Sequence, residues 1–260
     1  MKNGHEEILS VVMPAYNEEA TLEQIVKKVL DLPGLLELII VDDDSKDRTA
    51  EIARTLANDD NRIAYFRQPK NAGKTAALKA GFAMTRGEIV IVQDADLEYD
   101  PSEIESVIAP IIEGRADVVY GSRFMVKKAA RVLYFSHYLA NKALTFLSNC
   151  LTNLNMSDIE TCYKAFRGDV IRNMTITSSG FGFEVEVTAK IAKLRCAVYE
   201  VPISYYGRTY EEGKKIGLSD GIAAIWYIAK FNLLTTLRTS FTSFAGLPGA
   251  GARKYLPTSK

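Results

Sequence analysis

From Leu9 to Tyr120 short apolar runs alternate with amphipathic stretches, a pattern that predicts strand and helix in turn. Leu9 to Met13 reads as a strand. Thr21 to Leu32 follows, with Leu22, Ile25, Val26, Val29 and Leu30 at helical spacing, and Asn17, ahead of Glu18 and Glu19, stands where it would cap that helix. Leu38 to Val41 predicts a second strand running into Asp42-Asp43-Asp44-Ser45, a polar cluster suited to cap a helix from about Asp47 to Leu56. Ile63 to Phe66 predicts a third strand, Thr75 to Met84 a third helix and Ile89 to Val92 a fourth strand. Pro101 then occupies a first-turn position before Ile104, Val107, Ile108, Ile111 and Ile112, and Ala116 to Tyr120 returns as a strand. Repeated strand-helix units imply an α/β fold with a mostly parallel central sheet covered by helices on both faces.

In such sheets ligands bind beyond the carboxyl ends of the strands. Three strand ends here carry polar groups: Pro14-Ala15-Tyr16-Asn17-Glu18, Asp42-Asp43-Asp44-Ser45 and Asp94-Ala95-Asp96. If the sheet is parallel, all three share one rim. Because side chains alternate in extended chain, Asp94, Asp96 and Glu98 would lean to one side wherever strand conformation persists. Carboxylates crowded in that way repel one another, and a hard divalent cation, Mg²⁺ or Mn²⁺, removes the conflict, especially with diphosphate oxygens in its shell. A solvated acidic turn is the alternative for an isolated Asp-x-Asp; the neighbouring polar strand ends count against it.

Composition sets limits. The 260 residues are 47% hydrophobic and 25% charged, which describes an ordinary globular chain. Lys plus Arg equals Asp plus Glu at 32 each, so no global field draws nucleic acid. After Asp220 the chain has no acidic residue but carries Lys230, Arg238, Arg253, Lys254 and Lys260, a tail suited to an anionic surface. Cys150, Cys162 and Cys196 are widely spaced and form no metal or disulfide pattern, so a reduced, cytoplasmic protein is expected. No signal region precedes Ile8, and no apolar run is long enough to span a membrane.

Two familiar nucleotide motifs are absent. Gly73-Lys74-Thr75 lacks the earlier glycine of a phosphate loop, where Gln68 stands instead, and no Gly-x-Gly-x-x-Gly follows the first strand. What the chain does contain is the ordered set SVVMPAYNEE, LIIVDDDSKDRT, Asn71-Ala72-Gly73-Lys74, QDADLEYDP and YGSRF. This set resembles family 2 glycosyltransferases of the GT-A (Rossmann-like) fold, and more narrowly the dolichyl- or polyprenyl-phosphate mannosyl- and glucosyltransferases, over roughly Ile8 to Leu234. The segment from Asp158 to Arg167, the stretch from Glu200 to Arg208 and Gly213-Lys214-Lys215-Ile216-Gly217 are similar to the later motifs of those lipid-phosphate enzymes. One departure falls in Asp44-Ser45-Lys46-Asp47-Arg48-Thr49, where the family has Gly in place of Asp44 or Arg48.

The resemblance implies transfer of a hexose from a nucleotide diphosphate sugar, of the GDP-mannose or UDP-glucose type, to polyprenyl or dolichyl phosphate, with inversion. It places Pro14, Tyr16, Glu18, Asp42, Asp43, Lys74, Asp94, Ala95 and Asp96 at the nucleotide sugar, and the metal on Asp94, Asp96 and Glu98. Asp96, Arg123 and Arg208 are the expected catalytic residues. Arg123, Arg131, Ser136, Arg208, Lys214 and Lys215 are expected at the acceptor phosphate, where arginine's planar fork matches phosphate oxygens; Lys127 and Lys128 fit either that role or solvated surface. The alternative is transfer to a sugar or protein hydroxyl, which needs a carboxylate base, and Asp158 and Glu160 are the candidates for it. Other readings find less support. Trp226 lies outside the Gln-x-x-Arg-Trp pattern of processive synthases, PAYNEE replaces the glycine-rich loop of nucleotidyltransferases, and intact acidic residues argue against a silent binding subunit.

The C-terminal third bears on the acceptor. Ile222 to Leu237 is apolar around most of a helix, too short to span a bilayer, and basic at its polar points. It is suited to dock on a membrane surface or on the membrane helix of a partner subunit, with Gly221 to Tyr227 also fitting a core helix and the part from Phe231 the better membrane candidate. The expected organisation is a catalytic domain over 1–220, a membrane-associating helical segment over 221–244 and a flexible tail over 245–260, on the cytosolic face of a membrane.

Overall fold

The computed structural model describes residues 7–125, 134–207 and 218–249. Seven strands form one sheet: β1 (Leu9–Ala15), β2 (Leu35–Asp42), β3 (Ile63–Arg67), β4 (Ile89–Val92), β5 (Val118–Ser122), β6 (Lys164–Arg167) and β7 (Val198–Pro202), in the order β3-β2-β1-β4-β6-β5-β7. Around it lie α1 (Leu22–Leu30), α2 (Thr49–Asp59), α3 (Lys74–Met84), α4 (Ile104–Ile112), α5 (Phe135–Thr152), α6 (Gly168–Asn173), α7 (Phe183–Leu194), α8 (Leu218–Ala229) and α9 (Leu237–Ser240). Every strand and helix inferred between Leu9 and Tyr120 is present, with ends moved by a few residues. Alternate residues of β2 enter different apolar clusters: Ile39 and Val41 meet Ala77 of α3, whereas Leu38 and Ile40 join the main core. Both faces of the sheet are therefore covered.

All pairings are parallel except those of β6, which runs antiparallel to β4 and β5. This one reversal matters for the site. The parallel strands end on a common rim, as the registers Ala15↔Asp42 and Val12↔Val92 require. A strand of opposite direction begins where its neighbours end, and Lys164 pairs with Tyr120 near the carboxyl end of β5. The segment just before β6, Asp158 to Tyr163, is thereby delivered to the same rim.

One local inference needs correction and one departure finds its reason. Asn17 does not cap α1, whose N-cap Thr21 makes no side-chain cap bond. With φ 54° the Asn17 backbone turns away, its Oδ1 accepts from the Lys46 amide at 2.8 Å, and its own amide donates to Ser45 Oγ at 3.0 Å. It joins the first two strand-end loops instead of closing a helix. The family's missing glycine is also explained: Asp44 adopts φ 60°, a conformation that aspartate tolerates better than most residues, and Arg67 Nη2 donates to its Oδ1 at 2.9 Å.

The C-terminal segment has two sides. Ile228, Phe231, Phe241 and Leu247 are buried in or against the core, and Met174 forms a backbone bridge with Phe241. Ile222, Ile225, Trp226, Leu233 and Leu234 are exposed. The residues from Phe231 are thus not uniformly outward; a π-helical turn over Lys230–Leu234 turns Phe231 inward and Leu233 and Leu234 outward. Residues 250–260 of the expected tail lie outside the described residues.

Candidate active site

The polar strand ends converge on a cavity of about 680 Å³ whose lining includes Pro14, Tyr16, Glu18, Asp43, Lys74 and Asp94. Ala95, Asp96, Glu98, Arg123 and Ser136 line it as well. Asp42 does not. It is fully buried below the rim, where Oδ1 accepts from the Ser45 amide at 2.8 Å and Oδ2 from the Tyr65 hydroxyl at 3.1 Å. The expectation of Asp42 or Asp43 at the nucleotide therefore narrows to Asp43, which follows the last residue of β2 and lines the cavity.

Asp43 also builds the turn before α3. Its two oxygens accept from the amides of Ala72 at 2.8 Å and Gly73 at 2.7 Å, and from Gln68 Nε2 at 2.7 Å. Gly73 has φ 87°, and a Cβ there would stand 3.2 Å from Gly180 Cα. Only glycine suits this position. The turn aims Lys74 across the cavity, where its ammonium lies 2.9 Å from Asp94 and 3.7 Å from Glu184 Oε1. Burial disfavours the charged amine, but Asp94, helped by Cys162 and Glu184, holds its pKa well above the ordinary lysine value.

Asp94, Asp96 and Glu98 share the cavity wall but do not form a ready ligand set. Among the described residues no group of three or more His, Cys, Asp or Glu side chains is placed to hold a metal ion. Strand conformation does not persist through Asp94, Asp96 and Glu98, since β4 ends at Val92 and Leu97 turns the chain with φ 61°. Glu98 Oε2 accepts from the Tyr205 hydroxyl at 2.8 Å, and Asp96 Oδ1 accepts the Glu98 amide at 3.2 Å. Asp94 and Asp96 still present an all-oxygen donor set suited to a hard cation whose remaining shell comes from phosphate oxygens.

Arg123 follows directly from β5. Its guanidinium makes two parallel bonds to Asp158, Nε to Oδ2 at 2.7 Å and Nη2 to Oδ1 at 2.8 Å, and lies 5.2 Å from the Tyr205 ring centroid. Burial opposes both charges, yet each holds the other: the arginine is kept well above its usual pKa and the Asp158 carboxyl below its own. Asp158 is fully buried and absent from the cavity lining. It anchors Arg123 and is poorly placed to take a proton from an acceptor. Glu200 of β7 steadies the same loop, accepting from the amides of Ser157 at 2.9 Å and Asp158 at 3.2 Å. Arg131, Arg208, Lys214 and Lys215, with Lys127 and Lys128, lie outside the described residues.

Sequence reasoning missed Glu184 altogether and left Tyr99, Cys162 and Tyr205 without a role, although all four line the cavity. Glu184 lies in the first turn of α7, a helix buried along nearly its whole length. The available signal was Glu184 and Glu186 standing two apart in an otherwise apolar stretch, since buried carboxylates need a reason. Glu186 has an internal one, Lys190 and the amides of Thr177 and Ser178. From α5 and α8 come Ala140, Leu144 and Ala224, an apolar part of the lining of the same cavity.

The model of "Glycosyl transferase family 2" matches residues 10–175, more than half of the chain. The chain belongs to glycosyl transferase family 2. It is a glycosyltransferase with the GT-A fold. Among its relatives in this family, the undecaprenyl-phosphate mannosyltransferase of Micrococcus luteus is 30% identical over 220 residues, 82% of this chain and 90% of that protein. The polyprenol monophosphomannose synthase of Mycolicibacterium smegmatis is 30% identical over 214 residues, 80% of each. The undecaprenyl-phosphate 4-deoxy-4-formamido-L-arabinose transferase of Pseudomonas aeruginosa is 28% identical over 250 residues, 94% of this chain and 69% of the relative. In fold, the chain is similar to Mycobacterium tuberculosis glucosyl-3-phosphoglycerate synthase crystallised with Mn²⁺, UDP and phosphoglyceric acid. That likeness has a TM-score of 0.68 at 20% identity and covers 87% of this chain and 78% of the other.

Proposed function

We propose that this family 2 glycosyltransferase transfers a hexose from a nucleoside diphosphate sugar to polyprenyl phosphate, with inversion. The observation that carries the reading is one cavity with two unlike kinds of lining. The polar groups of Asp43, Lys74, Asp94, Asp96 and Arg123 share it with the apolar Ala140 and Leu144 of α5 and Ala224 of α8. The names of the polyprenyl-phosphate relatives support the same acceptor.

On the donor side, Tyr16, Glu18 and Asp43 border the nucleoside, and Lys74 offers a cation to the diphosphate. Asp94 and Asp96 would hold Mg²⁺ or Mn²⁺, with Glu98 as a further oxygen donor once released from Tyr205; the Mn²⁺ and UDP bound by the structural neighbour support this cofactor class. Such a cation supplies positive charge to the leaving diphosphate.

On the acceptor side, a lipid monophosphate is already anionic at neutral pH, so its oxygen attacks the anomeric carbon without a general base. The new bond joins that oxygen to the anomeric carbon, the bond to the nucleoside diphosphate breaks, and configuration inverts. Arg123 aligns the acceptor phosphate, with Ser136 nearby and Arg131, Arg208, Lys214 and Lys215 proposed to add charge. The exposed Phe135, Tyr138 and Leu139 of α5 and Ile222, Ile225 and Trp226 of α8 flank the cavity, which suits peripheral contact with the membrane that holds the lipid. No described helix is long and apolar enough to cross a membrane.

The test is a donor panel, GDP-mannose and UDP-glucose among it, incubated with a short polyprenyl phosphate and Mg²⁺ or Mn²⁺, with glycolipid read by mass spectrometry. Transfer to the free polyprenol in preference to its phosphate would reject the reading.

A further inference from the structure

Glu160 and Glu184 line the cavity but take no part in the proposed transfer to a phosphate acceptor. They come from different elements, Glu160 from the segment that approaches antiparallel β6 and Glu184 from the first turn of α7. Glu184 is 5% exposed. Each has a buried oxygen, Glu160 Oε1 and Glu184 Oε2, with no hydrogen-bond partner among the described residues. Buried carboxylate oxygens are normally satisfied, so an orphan pair in one cavity needs an explanation.

The nearby cations do not supply it. Lys74 is 2.9 Å from Asp94 and only reaches Glu184 Oε1 at 3.7 Å, and the buried Lys164 ammonium donates to the Thr161 carbonyl. The fold gains nothing evident from these two oxygens. A bound molecule must bring the donors, and its chemistry is constrained. A phosphate, which brings acceptors and negative charge, cannot satisfy two acidic side chains, and a lipid chain has no donors to offer. A neutral ring bearing several hydroxyls meets the requirement, since each O–H can donate to an ionised carboxylate and can equally accept from a carboxyl that keeps its proton.

Position identifies the ring. In the reading above, the diphosphate lies by Lys74, Asp94 and Asp96, and Lys74 is also the neighbour of Glu184. The group joined to the far phosphate of a nucleotide sugar is its hexose. We propose that Glu160 and Glu184 form the donor-sugar subsite, hydrogen-bonding to hexose hydroxyls and so selecting the sugar transferred. The inference rests on the proposed function and adds to it the residues that read the sugar.

The experiment compares equilibrium binding of UDP with UDP-glucose, and of GDP with GDP-mannose, to the wild-type full chain and to Glu160→Gln and Glu184→Gln, with folding checked by circular dichroism. In each variant the nucleotide sugar should weaken by about ten- to hundredfold relative to its nucleoside diphosphate, the loss of a charge-assisted bond, while the diphosphate binds as before. A nucleotide sugar in which fluorine replaces a recognised hydroxyl should show that loss with wild type and little further loss with the variants, because fluorine does not donate. An unchanged ratio of sugar nucleotide to diphosphate affinity in both variants overturns the subsite and leaves the proposed function standing. Failure of wild type to bind any of the four nucleotides overturns both.

Discussion

Arg123 and Asp158 form a buried, bidentate ion pair at the carboxyl rim of the sheet, Nε to Oδ2 at 2.7 Å and Nη2 to Oδ1 at 2.8 Å. The pair links the end of β5 to the approach of β6, and it fixes the guanidinium plane against the cavity. A lysine at position 123 keeps the charge but not the fork. Arg123→Lys should lower transfer to polyprenyl phosphate by about one to two orders of magnitude, corresponding to roughly 1.5 to 3 kcal/mol for one charge-assisted contact. Steady-state kinetics with varied lipid phosphate tests this, and unchanged kcat/KM would remove Arg123 from the acceptor site.

Removing the other partner has a different consequence. Asp158→Ala leaves a guanidinium that is 12% exposed without its counter-charge, so the fold should lose about 3 to 5 kcal/mol. Urea unfolding measures the loss. A variant as stable as wild type would mean that solvent or Tyr205 already compensates the charge.

The acidic strand end predicts dependence on a divalent cation. Asp96→Ala should abolish nearly all transfer while the circular dichroism spectrum and melting temperature stay close to wild type, because Asp96 lines the cavity and not the core. Mn²⁺ binding followed by electron paramagnetic resonance in the presence of UDP or GDP should weaken in the same variant. Full transfer in excess chelator would exclude this role.

Glu160 predicts a pH dependence of stability. Burial first, and the charge of Glu184 next, push its carboxyl from 4.5 up to about 7. The folded chain therefore keeps a proton that the unfolded chain releases between those values, and stability falls as pH rises from 4.5 to 7. This loss of stability is absent below pH 4.5 and complete once the folded carboxyl has ionised. Glu160→Gln should accordingly gain melting temperature relative to wild type at pH 8 compared with pH 5; parallel curves for the two proteins would contradict the shift.

The turn before α3 should be intolerant of any side chain. Gly73→Ala places a Cβ 3.2 Å from Gly180 Cα at φ 87°, which should cost about 1 to 3 kcal/mol in unfolding experiments. Because Asp43 is held by the amides of Ala72 and Gly73, nucleotide affinity should fall with it. Wild-type stability in this variant would show that the turn can relax.

Much of this was legible in the residues themselves. Apolar period decides which side of an element is buried, so Leu22, Ile25, Val26 and Val29 predicted α1 and Ile89 to Val92 predicted β4. Parallel strands end together, so three polar strand ends predicted one rim, and Pro14, Asp43 and Asp94 do meet there. Those inferences need only local geometry. The antiparallel entry of β6, the Arg123 to Asp158 pair, the turn at Leu97 that separates Glu98 from a strand-like ladder and the arrival of Glu184 from α7 were decided by the tertiary structure. Each depends on which distant segment occupies the neighbouring place, and contacts between residues far apart in sequence, such as Lys74 with Glu184, leave no periodic trace in either segment.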